Sequence, residues 1–282
     1  MSNVPQSLGV VITGGTAGLG LAMALEFLRA GDRVVICGRR KVQLDEALQQ
    51  LQMAVSSCEV YGMVCDISDP EQATTFVDFA VSKLGIIHRW INNAGTAGRM
   101  RRPLWQLDPH DIDETCRTNL SGSMMVCAAV LKAMLRQSAG DGQPVYHLFN
   151  MGFSSAGLRS SPTSVAHRAS KRAVALMSEL LLEELERSSN RSIGVHELSP
   201  GLVLTELLLR DATIEHKRFF NAMAETAETV AARLVPAIRR IDKRDGAVRY
   251  QPVITMLLRL VASRFGYRKE RFFDSGGMRR NN

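Results

Sequence analysis

Apolar residues along this chain follow two rhythms that take turns from residue 8 to about residue 240. Short runs rich in valine and isoleucine predict strands at Leu8–Thr13, Arg33–Cys37, Val60–Cys65, Arg89–Asn92, Pro144–Asn150 and Ile193–Leu198. Between them, apolar positions recur every three or four residues, which predicts helices at Gly18–Arg29, Lys41–Leu51, Pro70–Lys83, Asp111–Leu135 and Pro162–Arg187. Strand and helix in strict alternation specify a parallel sheet covered by helices on both faces. The expected fold class is α/β, a doubly wound parallel sheet in a single domain over residues 1–282. No internal repeat or low-complexity linker breaks the pattern, and Gly140–Pro144 is a turn ahead of a strand.

After Pro200 the rhythm changes to polar helical pieces, Thr205–Leu209 and Ile214–Met223, followed by a helix at Glu228–Arg240. Open α/β sheets bind ligands at the carboxyl ends of their strands, so residues 202–226, inserted after the sixth strand, are expected to form a helical substrate lid. A further apolar helix is predicted at Pro252–Phe265.

Composition narrows the function. Forty-five per cent apolar residues in a chain of 282 suffice for one large core. No run of eighteen apolar residues occurs, since Arg259 interrupts the longest late one, and the first ten residues carry no secretory pattern; neither a spanning helix nor a signal peptide is expected. The cysteines number five, an odd count without CxxC spacing, which suits a reducing compartment and argues against a disulfide framework or a zinc site. The net charge of +7 is uneven. Residues 239–282 hold twelve Lys/Arg against four acids, so the body before them is nearly neutral and no nucleic-acid partner is expected. The basic C-terminal segment 252–282 is either a solvated terminus or a peripheral contact for an anionic membrane surface or a partner.

The segment VVITGGTAGLGLAMALEF sets Thr13, Gly14, Gly18, Leu19 and Gly20 between an apolar strand and a helix opening. Glycines allow a tight turn and close approach to a pyrophosphate, and the helix N-terminus offers unpaired N–H groups and a positive dipole. This pattern at the first strand–helix junction points to a dinucleotide. An acid at the end of the second strand would bind a ribose diol; Cys37-Gly38-Arg39-Arg40 has none. Arg39 and Arg40 can instead grip a 2′-phosphate, which favours NADP(H), or they simply open the next helix in solvent.

The spacing Thr-Gly-x-x-x-Gly-x-Gly, together with Asn92-Asn93-Ala94-Gly95, resembles the short-chain dehydrogenase/reductase family, whose fold is of the Rossmann type. The resemblance implies that Asn93, Ala94 and Gly95 form part of the cofactor floor. It further implies that Asp66, with Ile67 beside it, holds the adenine, and that Pro200, Gly201 and Thr205 wrap the nicotinamide end. Carbonyl reduction in this family uses a Tyr acid, a Lys four residues later that also holds the cofactor, a Ser thirteen residues before the Tyr, and an upstream Asn. Asn119, Ser154 and Lys171 match, with Ser155 as an alternative to Ser154. At the tyrosine position stands His167, with Ser154 and Lys171 at the matching spacings. Three roles are open to it: replacement acid, positioning group with water as the proton source, or a member of a silent site.

Longer stretches resemble the chlorophyll b reductase branch: Trp90–Thr96, Leu198–Leu209, Phe219–Arg240 and Arg271–Asp274. This implies NADPH-dependent reduction of the 7-formyl group of chlorophyll b, or of a related tetrapyrrole, by an enzyme expected to be a homo-oligomer. The apolar lid residues Leu202, Val203, Leu204, Leu207, Leu208 and Leu209 suit such a substrate, although six apolar residues on a short helix are more often ordinary core. The alternatives are a short-chain reductase of another large apolar carbonyl or alcohol, and a non-catalytic NADP(H)-binding protein. The compartment is expected to be the cytoplasm, or the plastid stroma or thylakoid surface if a transit peptide was removed.

Overall fold

The structure, a computed structural model, describes residues 6–137, 143–152, 163–251, 255, 258–259 and 270–280. Seven strands pair in parallel: β1 (Gly9–Thr13), β2 (Arg33–Gly38), β3 (Val60–Val64), β4 (Arg89–Asn92), β5 (Tyr146–Met151), β6 (Ile193–Ser199) and β9 (Ala247–Arg249). Their spatial order is β3-β2-β1-β4-β5-β6-β9. The order reverses between β1 and β4, so the carboxyl ends of these two strands flank the crevice of a doubly wound sheet. β1 and β4 are buried at every position, as expected of strands covered on both faces.

One face carries α1 (Gly18–Arg29), α2 (Lys41–Ala54) and α9 (Ala227–Arg240). The apolar stripe Leu19, Met23 and Phe27 of α1 packs with Val230, Leu234 and Ile238 of α9. The other face carries α3 (Pro70–Leu84), α5 (Ser123–Arg136) and α6 (Val165–Arg187). Phe27, Phe76, Trp90 and Phe149 are fully excluded from water, and each such side chain contributes about 1.5–3 kcal/mol. Arg89, at the start of β4, donates to the carbonyl oxygens of Ile238 and Arg239 and so tethers the C-terminal end of α9 to the sheet.

The predicted helix Asp111–Leu135 is instead three pieces: α4 (Pro109–Cys116), a π-helical turn (Arg117–Gly122) and α5. Wider turns of this kind occur frequently at functional sites, and this one carries Asn119. By length and composition the whole run Pro109–Arg136 could cross a membrane, against the expectation from the sequence. Its apolar side is accounted for by packing, since Val126, Cys127, Val130 and Met134 lie in the core. The helix predicted from Pro162 begins at Val165, because Ser164 caps it, its hydroxyl accepting from the His167 amide.

Three strands were not predicted. β9 forms the sheet edge beside β6, while β7 (Val203–Leu204) and β8 (Glu225–Thr226) pair with each other at the two ends of the expected lid, residues 202–226. Within the lid lie α7 (Glu206–Leu209) and α8 (Ile214–Met223), the latter with a capping box at Thr213 and His216. Of the two readings of the apolar residues in 202–209, Leu208 follows the core one. It packs with Phe220, Ala224 and Phe273 in a small core of the lid's own, flanked by Leu202, Leu204 and Leu209. The C-terminal hairpin is docked there: Asn221 Oδ1 accepts from the amides of Phe272 and Phe273, and its Nδ2 donates to the Phe273 carbonyl.

The basic segment is likewise not simply a solvated terminus. Arg259 and Arg271 both pair with the buried carboxylate of Glu225, at 2.9 and 2.6 Å. The predicted helix Pro252–Phe265 lies outside the described residues except at Thr255, Leu258 and Arg259, all helical.

Candidate active site

The ends of β1 and β4 are tied by side chains. Thr13 Oγ1 accepts from the amides of Asn93 and Ala94, and Asn93 Nδ2 donates to the carbonyls of Thr13 and Gly14. Gly14 has φ of +65°, and a Cβ there would stand 2.8 Å from Ala94 Cα. α1 then begins at Gly18 with Ala17 as a cap that offers no side-chain acceptor, and no acid lies in its first turn. The amides of Leu19 and Gly20, in that turn, therefore receive no side-chain cap from Ala17, and an uncapped helix N-terminus is the kind of place that can take an anion. Thr205 reaches across from the lid: its methyl would lie 3.0 Å from a Cβ on Gly18. Pro200 and Gly201 precede it on the strand β6 exit, where Gly201 turns the chain with φ of +73°.

Arg39 and Arg40 follow β2 and are both exposed. Arg39 Nη1 lies 3.6 Å from Glu114 Oε1, and the other oxygen of the same carboxylate takes Arg99 at 3.0 Å. Glu114, absent from the sequence reading, thus holds a guanidinium at the strand end. Asp66 is half-buried after β3, where its Oδ1 accepts from the amide and hydroxyl of Ser68; Ile67 is buried beneath Gly122.

The catalytic candidates meet beneath the loop that follows β4. Asn119, fully buried, accepts from the Thr96 amide at 2.8 Å and donates to the Thr96 carbonyl at 2.9 Å and to Ser170 Oγ at 3.0 Å. Ser170 in turn donates to the carbonyl of His167. His167 is 5% exposed, and its Nδ1 lies 3.0 Å from the same Thr96 carbonyl oxygen. Burial, and then the nearby charges of Lys171, Arg101 and Arg168, push the His167 pKa down to about 3. Lys171 is on the next helical turn; burial lowers it to about 8. Its Nζ and Asn119 Oδ1 would lie 3.3 and 2.9 Å from a Cβ on Gly95, so only glycine leaves room for them. Ser154 and Ser155 lie outside the described residues.

Besides Glu114, three contributors escaped the sequence reading. Thr96 acts through its backbone and Ser170 is an ordinary helical serine, so neither leaves a signal in the sequence. Arg101 was legible only as one of several arginines. It bonds the lid from the opposite wall: its Nε donates to the Arg210 carbonyl, its Nη2 to that of Leu208, and its amide to Asp211. Elsewhere, His147 and His196 meet at 2.9 Å between adjacent strands.

Comparison with known proteins completes the picture. The family model described as short chain dehydrogenase matches residues 9–213. The "Probable chlorophyll(ide) b reductase NYC1, chloroplastic" of Arabidopsis thaliana is 36% identical over 283 residues, covering 95% of this chain and 55% of that protein. The chlorophyll(ide) b reductase NOL of Oryza sativa subsp. japonica, also chloroplastic, is 38% identical over 82% of this chain and 66% of its own. The chain therefore spans between about half and two thirds of the length of these relatives. Among solved structures, a short chain dehydrogenase/reductase from Burkholderia phymatum in complex with NAD superposes with a TM-score of 0.73, at 23% identity over 95% of this chain and 97% of the other. An actinorhodin polyketide ketoreductase with NADPH gives 0.69 at 25% identity, over 88% and 98%.

Proposed function

The chain belongs to the short-chain dehydrogenase/reductase family of oxidoreductases, which use a nicotinamide cofactor, and we propose that it reduces the formyl group of chlorophyll b or a related tetrapyrrole with NADPH. The observation that carries this is the extent of the likeness. The family model ends at residue 213, whereas the similarity to the NYC1 chlorophyll(ide) b reductase covers 95% of the chain and so includes the lid and the segment beyond it. Lids select substrates, so likeness there bears on what is bound.

The bound cofactor would supply the hydride. This chain's part is to hold and exclude. The loop Thr13–Gly20 and the N-terminus of α1 would take the pyrophosphate, and Asp66 and Ile67 the adenine. Asn93, Ala94, Gly95, Pro200, Gly201 and Thr205 would frame the nicotinamide end. Arg39 and Arg40, with no acid at the end of β2, favour a 2′-phosphate and hence NADP(H). Ser154 would hydrogen-bond the carbonyl oxygen, Lys171 would hold the cofactor ribose and add positive charge, and Asn119 would fix the loop at Thr96 above them.

The relatives' names place them in chloroplasts, so the plastid is the compartment proposed here; the cytoplasm has no comparable support. Exposed apolar side chains on α5 and α6, among them Met124, Leu135, Leu176 and Leu180, favour a homo-oligomer. Leu258 and Met278, both exposed, are the described apolar residues that a membrane contact by the C-terminal segment would use.

The test is incubation of the protein with NADPH and chlorophyll b or chlorophyllide b. Loss of the formyl absorption band with appearance of the hydroxymethyl product is expected. Oxidation of NADPH with other apolar aldehydes only would move the substrate elsewhere, and cofactor binding without any turnover would make this a binding protein.

A further inference from the structure

If this chain is a carbonyl reductase, on which the following rests, the substrate oxygen needs a proton as hydride reaches carbon. His167 stands where the family keeps its acid, yet its hydrogen bond runs the other way. A carbonyl oxygen only accepts, so the contact between Nδ1 and Thr96 requires the proton to sit on Nδ1. In the neutral ring Nε2 then carries a lone pair and nothing to give. The opposite tautomer would set two lone pairs against each other at 3.0 Å.

Nor can the Thr96 carbonyl easily turn away. Its amide and its oxygen are both engaged by Asn119, which bonds Ser170, which bonds the His167 carbonyl, closing a ring of contacts. Among the described residues, the charges of Lys171, Arg101 and Arg168 each oppose a second proton on the His167 ring.

We propose that His167 is an acceptor and positioning residue locked in the Nδ1–H tautomer, and that Lys171, one helical turn on, is the group that gives the carbonyl oxygen its proton. Lys171 Nζ lies beside Gly95, on the expected floor of the nicotinamide pocket, where the missing side chain leaves it access. The step balances. Hydride adds to the formyl carbon, the C=O π pair moves to oxygen, oxygen takes a proton from the ammonium, and the resulting amine regains one from water. Burial has already lowered the ammonium toward the acidity this needs, to about 8, while leaving it charged at neutral pH.

The first readout needs no substrate. In protein labelled with ¹⁵N-histidine, and with His167→Phe to assign the signals, His167 should show a protonated Nδ1 and a bare Nε2 from pH 7.5 to 5.5. A proton on Nε2 overturns the inference. The second uses single turnover of chlorophyllide b with NADPH. The rate should fall as pH rises through about 8, with no limb from a histidine. Lys171→Ala should lose about 10²–10⁴-fold and be rescued by small primary amines in the order of their acidity. Lys171→Arg, which keeps charge but gives up no proton, should stay slow while binding NADPH as judged by fluorescence. His167→Gln, which keeps an acceptor, should outpace His167→Phe. A fast Lys171→Arg variant, or amines that restore nothing, overturns the donor role. If the unaltered protein reduces no carbonyl at all, the reductase assignment fails and the donor role with it. If it reduces chlorophyllide b with Nε2 protonated, only the present inference fails.

Discussion

Lowering the pH from 7.5 to 5.5 should cost this protein about 5 kcal/mol of folding stability, and replacing His147 and His196 together by leucine should abolish about half of that loss. Four imidazoles are buried deeply enough to stay neutral in the folded chain. Burial holds His88 and His196 near 4 and His167 near 3, and it pushes His147 lower still, with Arg89 adding to the effect at His88, His147 and His196. In the unfolded chain each titrates near 6.5. The unfolded state therefore binds more protons below that pH, so the stability these rings contribute is complete above about pH 6.5 and drains away as pH falls toward their folded values. Across the window each ring is worth about 1.4 kcal/mol, and four give the total stated; the whole stability of a domain is only about 5–15 kcal/mol. His147 and His196 are the pair to remove, since they share one hydrogen bond of 2.9 Å and His196 stacks on Phe149 at 4.9 Å. Deleting both partners strands neither, and leucines fill much of the space. Urea unfolding followed by circular dichroism at a series of pH values measures the effect. A double variant as acid-sensitive as the parent would refute the reasoning, as would a parent whose midpoint does not move with pH.

Three further outcomes are expected. Arg39→Asp should weaken NADPH by about 1.5–3 kcal/mol in a fluorescence titration; an equal loss for NADH would show that Arg39 does not meet the 2′-phosphate. Gly14→Ala should lower stability by about 1–3 kcal/mol, because its φ of +65° and the nearby Ala94 both exclude a side chain, and an unchanged melting temperature would contradict this. Glu225→Ala should cost about 3–5 kcal/mol by leaving Arg259 and Arg271 without their buried partner. Limited proteolysis should then cut within 202–226 and near 270, and resistance equal to the parent's would count against the clasp.

Local pattern was enough for the strands β1 to β6, the helices between them, and the glycine loop. Each rests on a run of residues whose periodicity is its own signal, and a strand buried on both faces, such as Val10–Ile12, has little alternative. That His167 and Lys171 share one side of a helix was equally legible, because a four-residue spacing puts them there whatever surrounds them. What the chain alone could not reveal depends on partners distant in sequence. The edge strand β9 is three residues long and is a strand only because β6 offers it a ladder. The break at Arg117–Gly122 arises where Asn119 must face Thr96. Glu225 became a clasp only when two distant arginines met it, and His147 found His196 only through strand register. His167 shows the division most sharply. The sequence determined that a histidine occupies the position of the acid, while the direction of its hydrogen bond was decided by a backbone carbonyl 71 residues away, which no side-chain pattern encodes.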